Sequence, residues 1–117
     1  MDKNLDPKTA FAMENTILIG GFRSVKPEEI MLLQADVNYT VVHFKDGEKF
    51  IVATPLKSLQ SRLEPFNFYR THKSFLVNLN CVKYFLEPHK LVQMTDNKRI
   101  TVSRRKVNGL KKSLLLN

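Results

Sequence analysis

Short apolar runs separated by turn signals are the feature that most constrains how this chain can fold. Residues 39–44 and 50–53 are rich in β-branched and aromatic side chains, and Asp46-Gly47 between them is a strong hairpin signal. Runs of the same kind occur at residues 17–19, 31–33, 76–85, 91–94 and 99–102. Asp96-Asn97 forms a predicted turn between the last two runs. The pattern predicts a chain built mainly of short strands.

Two segments change to a helical period. Residues 55–63 follow Thr54 as a capping residue, with Pro55 at the first helical position. This segment places leucines on one helical face: Leu56, Leu59 and Leu63. Residues 104–114 repeat apolar side chains at helical spacing, although Gly109 inside them costs about 1 kcal/mol relative to alanine. We expect two short helices.

The length of 117 residues suits a single domain that needs neither disulfides nor a structural metal. Residues 1–15 show no clear period and are interpreted as an N-terminal tail, leaving 16–117 as the folded domain. The single cysteine, Cys81, lies in an apolar run and fits a small core residue in a reducing compartment. Neither a transmembrane run nor a signal peptide is present in the sequence, which favours a cytoplasmic location and no membrane partner.

Positive charge is segregated along the chain. Nineteen Lys and Arg against eleven Asp and Glu give a net charge of +8, and no acid follows Asp96. The stretch between Glu64 and Glu87 is also free of acids. Such segregation is typical of a surface that binds nucleic acid or an anionic membrane, and nucleic acid is the commoner partner.

A basic turn at residues 70–74 lies between the apolar anchors Phe68 and Phe75. Hydrogen-bonding and basic side chains on a loop held by a core suit the reading of a polyanion such as DNA. An ordinary solvated loop is the alternative. Asn38-Tyr39 is a second candidate, because asparagine tolerates turns and tyrosine has a flat face with a polar tip. Equally, these two residues could only shape the loop and pack.

Ser103-Arg104-Arg105-Lys106 places three cations where the second predicted helix begins. Cations are mildly unfavourable there, whereas a docked phosphate would gain the helix dipole, the free amides and the arginines together. Arg105 is a candidate for a base edge, because a guanidinium can bond guanine O6 and N7 at once. The alternative is that the long side chains extend into water.

Catalytic chemistry finds little support in the sequence. The three histidines have neither metal-ligand spacing nor an evident carboxylate partner: His43, His72 and His89. A nucleophile and base pair of Cys81 with His72 is disfavoured, because an apolar run raises the pKa of a thiol. We expect a protein that is not an enzyme and uses no metal or cofactor.

Taken together, these residues resemble the LytTR-type DNA-binding domain, the output module of LytR/AlgR-type bacterial response regulators in two-component systems. The resemblance covers roughly Thr16 to Leu114. Its marks are four segments in order: residues 30–40 with Asn38-Tyr39-Thr40, residues 54–59, residues 68–78, and residues 100–106.

The resemblance implies a mostly β, elongated arrangement of short antiparallel sheets with short helices. It also implies that loops enter successive major grooves of a direct repeat and bend the DNA. Base contacts would come from Asn38 or Tyr39, from Lys73 and from Arg105. The expected groups that position phosphates or shape the loops are Arg70, His72, Ser74, Arg104 and Lys106. Lys57 is a further expected phosphate contact.

Response regulators of this kind carry an N-terminal receiver domain, and here only about fifteen residues precede the resemblance. The chain is therefore expected to be either a stand-alone regulator or an excised output domain, with control from abundance or a separate signalling partner. We expect a sequence-specific transcriptional regulator that binds double-stranded DNA as two copies. The alternatives are an RNA-binding or non-specific polyanion-binding small β domain. Exposed Tyr39, Tyr69 and Phe75 would favour RNA, because RNA recognition stacks bases on aromatic side chains.

Overall fold

The computed structural model describes residues 16–116, so the tail predicted for residues 1–15 lies outside the described residues. Within 16–116 the chain forms ten strands and two α-helices. The strands are β1 (Ile17–Gly20), β2 (Arg23–Val25), β3 (Ile30–Asp36), β4 (Tyr39–Phe44), β5 (Lys49–Val52), β6 (Phe68–His72), β7 (Phe75–Asn78), β8 (Val82–Leu86), β9 (Leu91–Met94) and β10 (Arg99–Thr101). The helices are α1 (Leu56–Leu63) and α2 (Val107–Leu115).

The described strands form three antiparallel sheets. The central sheet has five strands in the order β5-β4-β3-β7-β6, while β1-β2 and β10-β9-β8 form smaller sheets. The described part of the chain measures 57 × 33 × 24 Å. The expected mostly β, elongated architecture with two short helices is confirmed.

The central sheet has a hydrophobic core on each face, and its middle strands β3 and β7 contribute to both. Leu33 of β3 pairs with Leu76 of β7, and both are buried in the core that also contains α1 and the β1-β2 hairpin. The next pair, Leu32 with Val77, is buried in the second core against the three-stranded sheet and α2. Because side chains alternate along a strand, apolar residues at successive positions let these two strands join both layers.

Both predicted hairpin turns are confirmed, and both use an aspartate to close the turn. Asp46 Oδ1 accepts a hydrogen bond from the Glu48 amide at 2.9 Å, and Asp96 Oδ1 accepts one from the Lys98 amide at 3.0 Å. The residue after each aspartate has a positive φ, 94° at Gly47 and 73° at Asn97. Glycine and asparagine are the residues that adopt this conformation most readily.

The predicted helix boundaries need correction at their starts. Thr54 does not cap α1: the N-cap position is Pro55, with no side-chain cap hydrogen bond, and its carbonyl accepts from the amides of Ser58 and Leu59. The Thr54 carbonyl instead accepts the hydroxyl of Thr40 at 2.7 Å, which ties the start of α1 to β4. The second helix begins with a 3₁₀ turn at Arg104–Lys106, and the α-helix proper starts at Val107.

Two other predicted segments differ from the structure. The run at residues 76–85 is broken after Asn78, because Asn78 Oδ1 accepts from the Asn80 amide and its Nδ2 donates to the Ile30 carbonyl. A 3₁₀ turn at Leu79–Cys81 then leads from the central sheet to the three-stranded sheet. The basic turn predicted at residues 70–74 is shorter than expected, since β6 continues to His72.

His43 is a buried titratable group on β4 whose two ring nitrogens have no hydrogen-bond partner. Burial lowers its pKa below the ordinary value of 6.5, with smaller contributions from Lys98 and Lys49, whereas Asp96 acts in the opposite direction. The folded state therefore binds the proton of His43 less readily than the unfolded state does. The contribution of His43 to stability is complete above pH 6.5 and is lost as the pH falls below it.

We expect the unfolding free energy to fall as the pH is lowered from about 8 to about 5, and a His43→Leu variant to show a smaller fall. Urea denaturation at a series of pH values measures both. His89→Gln, at an exposed histidine of the Glu87–His89 turn, is the matched control and should keep the full pH dependence. An unchanged pH profile in His43→Leu would remove His43 as the cause.

Candidate nucleic-acid interface

Two of the predicted loops lie at the same edge of the central sheet because β3 and β7 are antiparallel neighbours. The register pairs Gln34 with Phe75, so the turn after β3 lies beside the turn before β7. The Ala35 amide donates to the Ser74 carbonyl at 2.8 Å and joins the two turns directly. Asn38 and Lys73, which are 35 positions apart in the sequence, are thereby placed on one side of the molecule.

The third loop reaches this edge through β6. The Ser103 amide donates to the Thr71 carbonyl at 2.8 Å, and the Tyr69 hydroxyl donates to the Lys106 carbonyl at 2.9 Å. These bonds hold the Arg104–Lys106 turn against the strand that leads into Lys73. We call the three turns at residues 37–38, 73–74 and 104–106 the basic edge.

The start of α1 adds a further cation to the basic edge. A shallow cleft is lined by Asn38, Tyr39, Lys57 and Arg70, together with Pro55 at the N-cap of α1. The positive end of the helix dipole therefore lies among side chains that the sequence had suggested as DNA contacts. Lys57, which is distant in sequence from the other candidates, is brought beside Asn38.

Exposure divides the predicted site residues into two groups. Exposed side chains belong to six of them: Asn38, Tyr39, Lys57, Lys73, Arg104 and Arg105. Half-buried side chains belong to the other four: Arg70, His72, Ser74 and Lys106. The first group can reach a ligand without rearrangement, whereas the second also makes contacts within the protein.

The carbonyls of the β6–β7 turn all accept hydrogen bonds from the protein. Arg70 Nε donates to the His72 carbonyl at 3.0 Å, Arg70 Nη2 donates to the Lys73 carbonyl, and the Ala35 amide donates to that of Ser74. The Ser74 amide donates to His72 Nδ1 at 3.1 Å, so Nδ1 is the acceptor nitrogen and Nε2 carries the proton. Burial lowers the pKa of the Arg70 guanidinium. The turn is held on its protein side, and the Lys73 side chain is exposed.

The Arg104–Lys106 turn differs from the anion site predicted for a helix start. The Lys106 amide donates to the Ser103 carbonyl, and the Val107 amide donates to that of Arg104, so these two donors are used within the turn. The dipole of α2 begins only at Val107, after the three cations. An anion here would therefore depend more on the side chains than on the helix.

Two residues near the basic edge were not singled out from the sequence. Asp36 is exposed at the end of β3, paired with Tyr39, and adds an acidic group beside the cations. Gln60 of α1 accepts from Arg70 Nη1 at 2.8 Å. The helical period could place Gln60 beside Lys57 on α1, but nothing in the sequence indicates its contact with Arg70.

The three aromatic side chains Tyr39, Tyr69 and Phe75 do not together form an exposed stacking platform. Tyr39 is 54% exposed, but Tyr69 and Phe75 are half-buried and pack against the second core. Burial also raises the pKa of the Tyr69 hydroxyl, which donates to the Lys106 carbonyl. With two of these three rings half-buried, they do not provide the exposed stacking surface that RNA-binding β domains use.

Cys81 is buried in the second core, and burial raises the pKa of its thiol. A raised pKa leaves the thiol protonated and a poor nucleophile. Among residues 16–116, no group of three or more His, Cys, Asp or Glu side chains is arranged to hold a metal ion. No helix in the described range has the length and apolar composition needed to cross a membrane.

Comparison with known proteins identifies the family of this chain. The model of the LytTr DNA-binding domain family matches residues 20–115. The chain therefore belongs to the LytTr DNA-binding domain family, and it is a DNA-binding domain of mostly β architecture.

A curated relative is the sensory transduction protein LytT of Oceanobacillus iheyensis, which is 32% identical over 91 residues. The match covers 74% of this chain but only 37% of the relative's length. A similar solved structure is the LytTr DNA-binding domain of a protein described as a methyl-accepting/DNA response regulator, from Bacillus cereus. It superposes with a TM-score of 0.69 at 25% identity and covers 85% of this chain and 93% of that one.

The contact between α2 and β6 generates a stability prediction. A Cβ atom placed on Gly109 would lie 2.3 Å from the Tyr69 hydroxyl oxygen, which is fixed by its bond to Lys106. Gly109→Ala should gain about 1 kcal/mol in helix propensity but lose more through the clash, with a net loss of about 1 kcal/mol in unfolding free energy. Chemical denaturation measures the loss.

A double-mutant cycle tests the cause of that loss. In a Tyr69→Phe background the closest atom to the new Cβ is a ring carbon at 3.2 Å, so Gly109→Ala should be less harmful there. Equal losses in both backgrounds would show that the Tyr69 hydroxyl is not what requires glycine at this position.

Proposed function

We propose that this chain is a sequence-specific transcriptional regulator that binds double-stranded DNA and reads major grooves of a direct repeat through loop residues. The observation that carries the proposal is the meeting of three turns, distant in sequence, at the basic edge. Three segments that are distant in sequence contribute cations there: Lys57 of α1, Arg70 with Lys73, and residues 104–106. DNA recognition needs such a combination of positive charge and donors that can reach base edges.

In this proposal four side chains contact bases: Asn38, Tyr39, Lys73 and Arg105. All four are exposed; Asn38, Lys73 and Arg105 come one from each turn of the basic edge, and Tyr39 is the first residue of β4, next to Asn38. Arg105 can bond guanine O6 and N7 together, and Lys73 can donate to the same acceptors. Asn38 can pair with adenine, and Tyr39 offers a ring face and a hydroxyl beside it.

Phosphate contacts are proposed for the cations and donors around these residues: Lys57, His72, Ser74, Arg104 and Lys106, with Arg70 as either a phosphate contact or a group that shapes the loop. His72 can donate from Nε2 while Nδ1 remains engaged with the Ser74 amide. Phosphate contacts supply affinity and fix the orientation of the protein, while the base contacts supply specificity.

Two copies are proposed to bind the two halves of the repeat, in the cytoplasm and without catalytic activity. A separate signalling partner is proposed as the source of control. Half-sites about one helical turn apart would place both copies on one face of the DNA. The RNA-binding alternative is disfavoured by the half-burial of Tyr69 and Phe75.

Arg105→Ala should weaken binding to the selected sequence and relax preference at one base position, by about 1–3 kcal/mol of discrimination. Selection of fragments from random duplex DNA at physiological salt, followed by titration of single-base variants, measures this. Recovery of no motif by the unaltered protein would contradict sequence-specific binding. Unchanged selectivity in Arg105→Ala would remove Arg105 from the base-reading set.

Arg104→Ala should weaken binding to all sequences similarly and reduce the salt dependence by about one phosphate contact. The slope of log affinity against log salt measures this. Lys45→Ala is the matched control, because Lys45 is an exposed cation just after β4, at the end of that strand away from the basic edge. Equal slopes for the two variants would contradict a specific phosphate contact at Arg104.

A further inference from the structure

We infer that Arg70 is a positioning residue, whose guanidinium holds the carbonyls of the β6–β7 turn so that Lys73 is presented to DNA, and that Gln60 of α1 orients this guanidinium. The inference rests on the proposed function and deepens it. Of the two roles left open for Arg70, a phosphate contact and the shaping of the loop, the hydrogen bonds favour the second.

The three guanidinium nitrogens of Arg70 each donate a hydrogen bond to a different acceptor within the protein. Nε donates to the His72 carbonyl at 3.0 Å, and Nη2 donates to the Lys73 carbonyl. Nη1 donates to Gln60 Oε1 at 2.8 Å. Each nitrogen of the guanidinium is thus engaged, and the side chain is half-buried.

The β6–β7 turn needs such a partner because of its backbone. The register of β6 and β7 shifts between Arg70 and His72, so the strand ladder does not continue regularly into the turn. Carbonyls at such an irregularity require another donor, or they face solvent. At an interface with DNA, outward-facing carbonyls would also lie close to phosphates and repel them.

Arginine suits this task better than lysine. The guanidinium is planar and rigid, and its Nε and Nη2 donors lie on one side at the spacing needed to bond two neighbouring acceptors. A lysine ammonium can supply the same charge, but it is a single point on a flexible stem. The charge and the fork geometry can therefore be separated by a conservative substitution.

Gln60 connects the turn to the first core. Its Oε1 accepts from Arg70, and its Nε2 donates to Glu64 Oε2 at 2.8 Å, just after the end of α1. The neighbouring residues Leu59 and Leu63 are completely buried in that core. The hydrogen bond to Gln60 thus connects the Arg70 guanidinium to a helix that is packed in the core. On the other side of the turn, the Ala35 amide holds the Ser74 carbonyl to β3.

The DNA-binding test uses Arg70→Lys, which retains the charge and removes the fork. Affinity for the selected sequence should fall about tenfold, as expected when hydrogen bonds to a charged group are lost. Preference at the base read by Lys73 should weaken, while the salt slope stays unchanged. If Arg70 is a phosphate contact instead, Arg70→Lys should bind nearly as well as the unaltered protein, and Arg70→Ala should lower the slope by about one contact.

Gln60→Met provides the second variant, because it keeps the length of the side chain and removes the acceptor. It should weaken selectivity at the same base position, and it should add little to Arg70→Lys when the two are combined. The matched control is Arg99→Lys with Gln93→Met, an exposed arginine of β10 and a half-buried glutamine of β9 that bond at 3.3 Å. These control variants should leave selectivity unchanged.

Measurement on the free protein separates this inference from the proposed function. Amide hydrogen exchange at Lys73 and Ser74 should be faster in Arg70→Lys than in the unaltered protein, while exchange in β3 stays the same. If Lys73→Ala leaves DNA selectivity intact, the proposed reading role of this turn fails. Faster exchange in Arg70→Lys would still support the inference that Arg70 holds the turn. Unchanged exchange in Arg70→Lys, together with intact selectivity, would overturn the positioning role of Arg70.

Discussion

The antiparallel pairing of β3 with β7 is the interaction on which the rest of the structure depends. The two strands are about forty residues apart in sequence, and their register aligns Leu33 with Leu76 and Leu32 with Val77. These pairs fill the cores on opposite faces of the sheet, so one strand pairing joins α1 on one side with the three-stranded sheet and α2 on the other. The same register places the turn after β3 beside the turn before β7, and the geometry of the basic edge follows from it.

The basic edge is held by polar contacts as well as by the strands. Tyr69 is half-buried against the second core, and its hydroxyl fixes the Lys106 carbonyl; Gly109 allows α2 to approach that hydroxyl. Gly109 lowers the helix propensity of α2, but the packing of α2 against Tyr69 requires a glycine at this position. We propose that Arg70 has the corresponding role on the β6–β7 turn, where its guanidinium, in place of a hydroxyl, holds the backbone carbonyls.

Much of the local structure could be predicted from the sequence because it depends on neighbouring residues. Asp46-Gly47 and Asp96-Asn97 close their turns with their own side chain and a positive φ, and the leucines of α1 mark its buried face. The predictions that were wrong involve distant partners. Thr54 does not cap α1, although the same residue offers its carbonyl to Thr40, and the break after Asn78 depends on the Ile30 carbonyl. A pattern over a few neighbouring residues does not predict which distant residue will be the hydrogen-bond partner.

The sequence alone determined that this chain forms short strands with two short helices, carries excess positive charge in separate segments, and resembles the LytTr DNA-binding domain. Those properties reside in residue type and spacing, which act over a few positions. Only the tertiary structure decided that the segments containing Asn38, Lys57, Lys73 and Arg105 meet at one edge, and that Arg70 is directed into the protein. Such decisions depend on strand register and on hydrogen bonds between residues far apart in the chain, whose geometry exists only after both cores have packed.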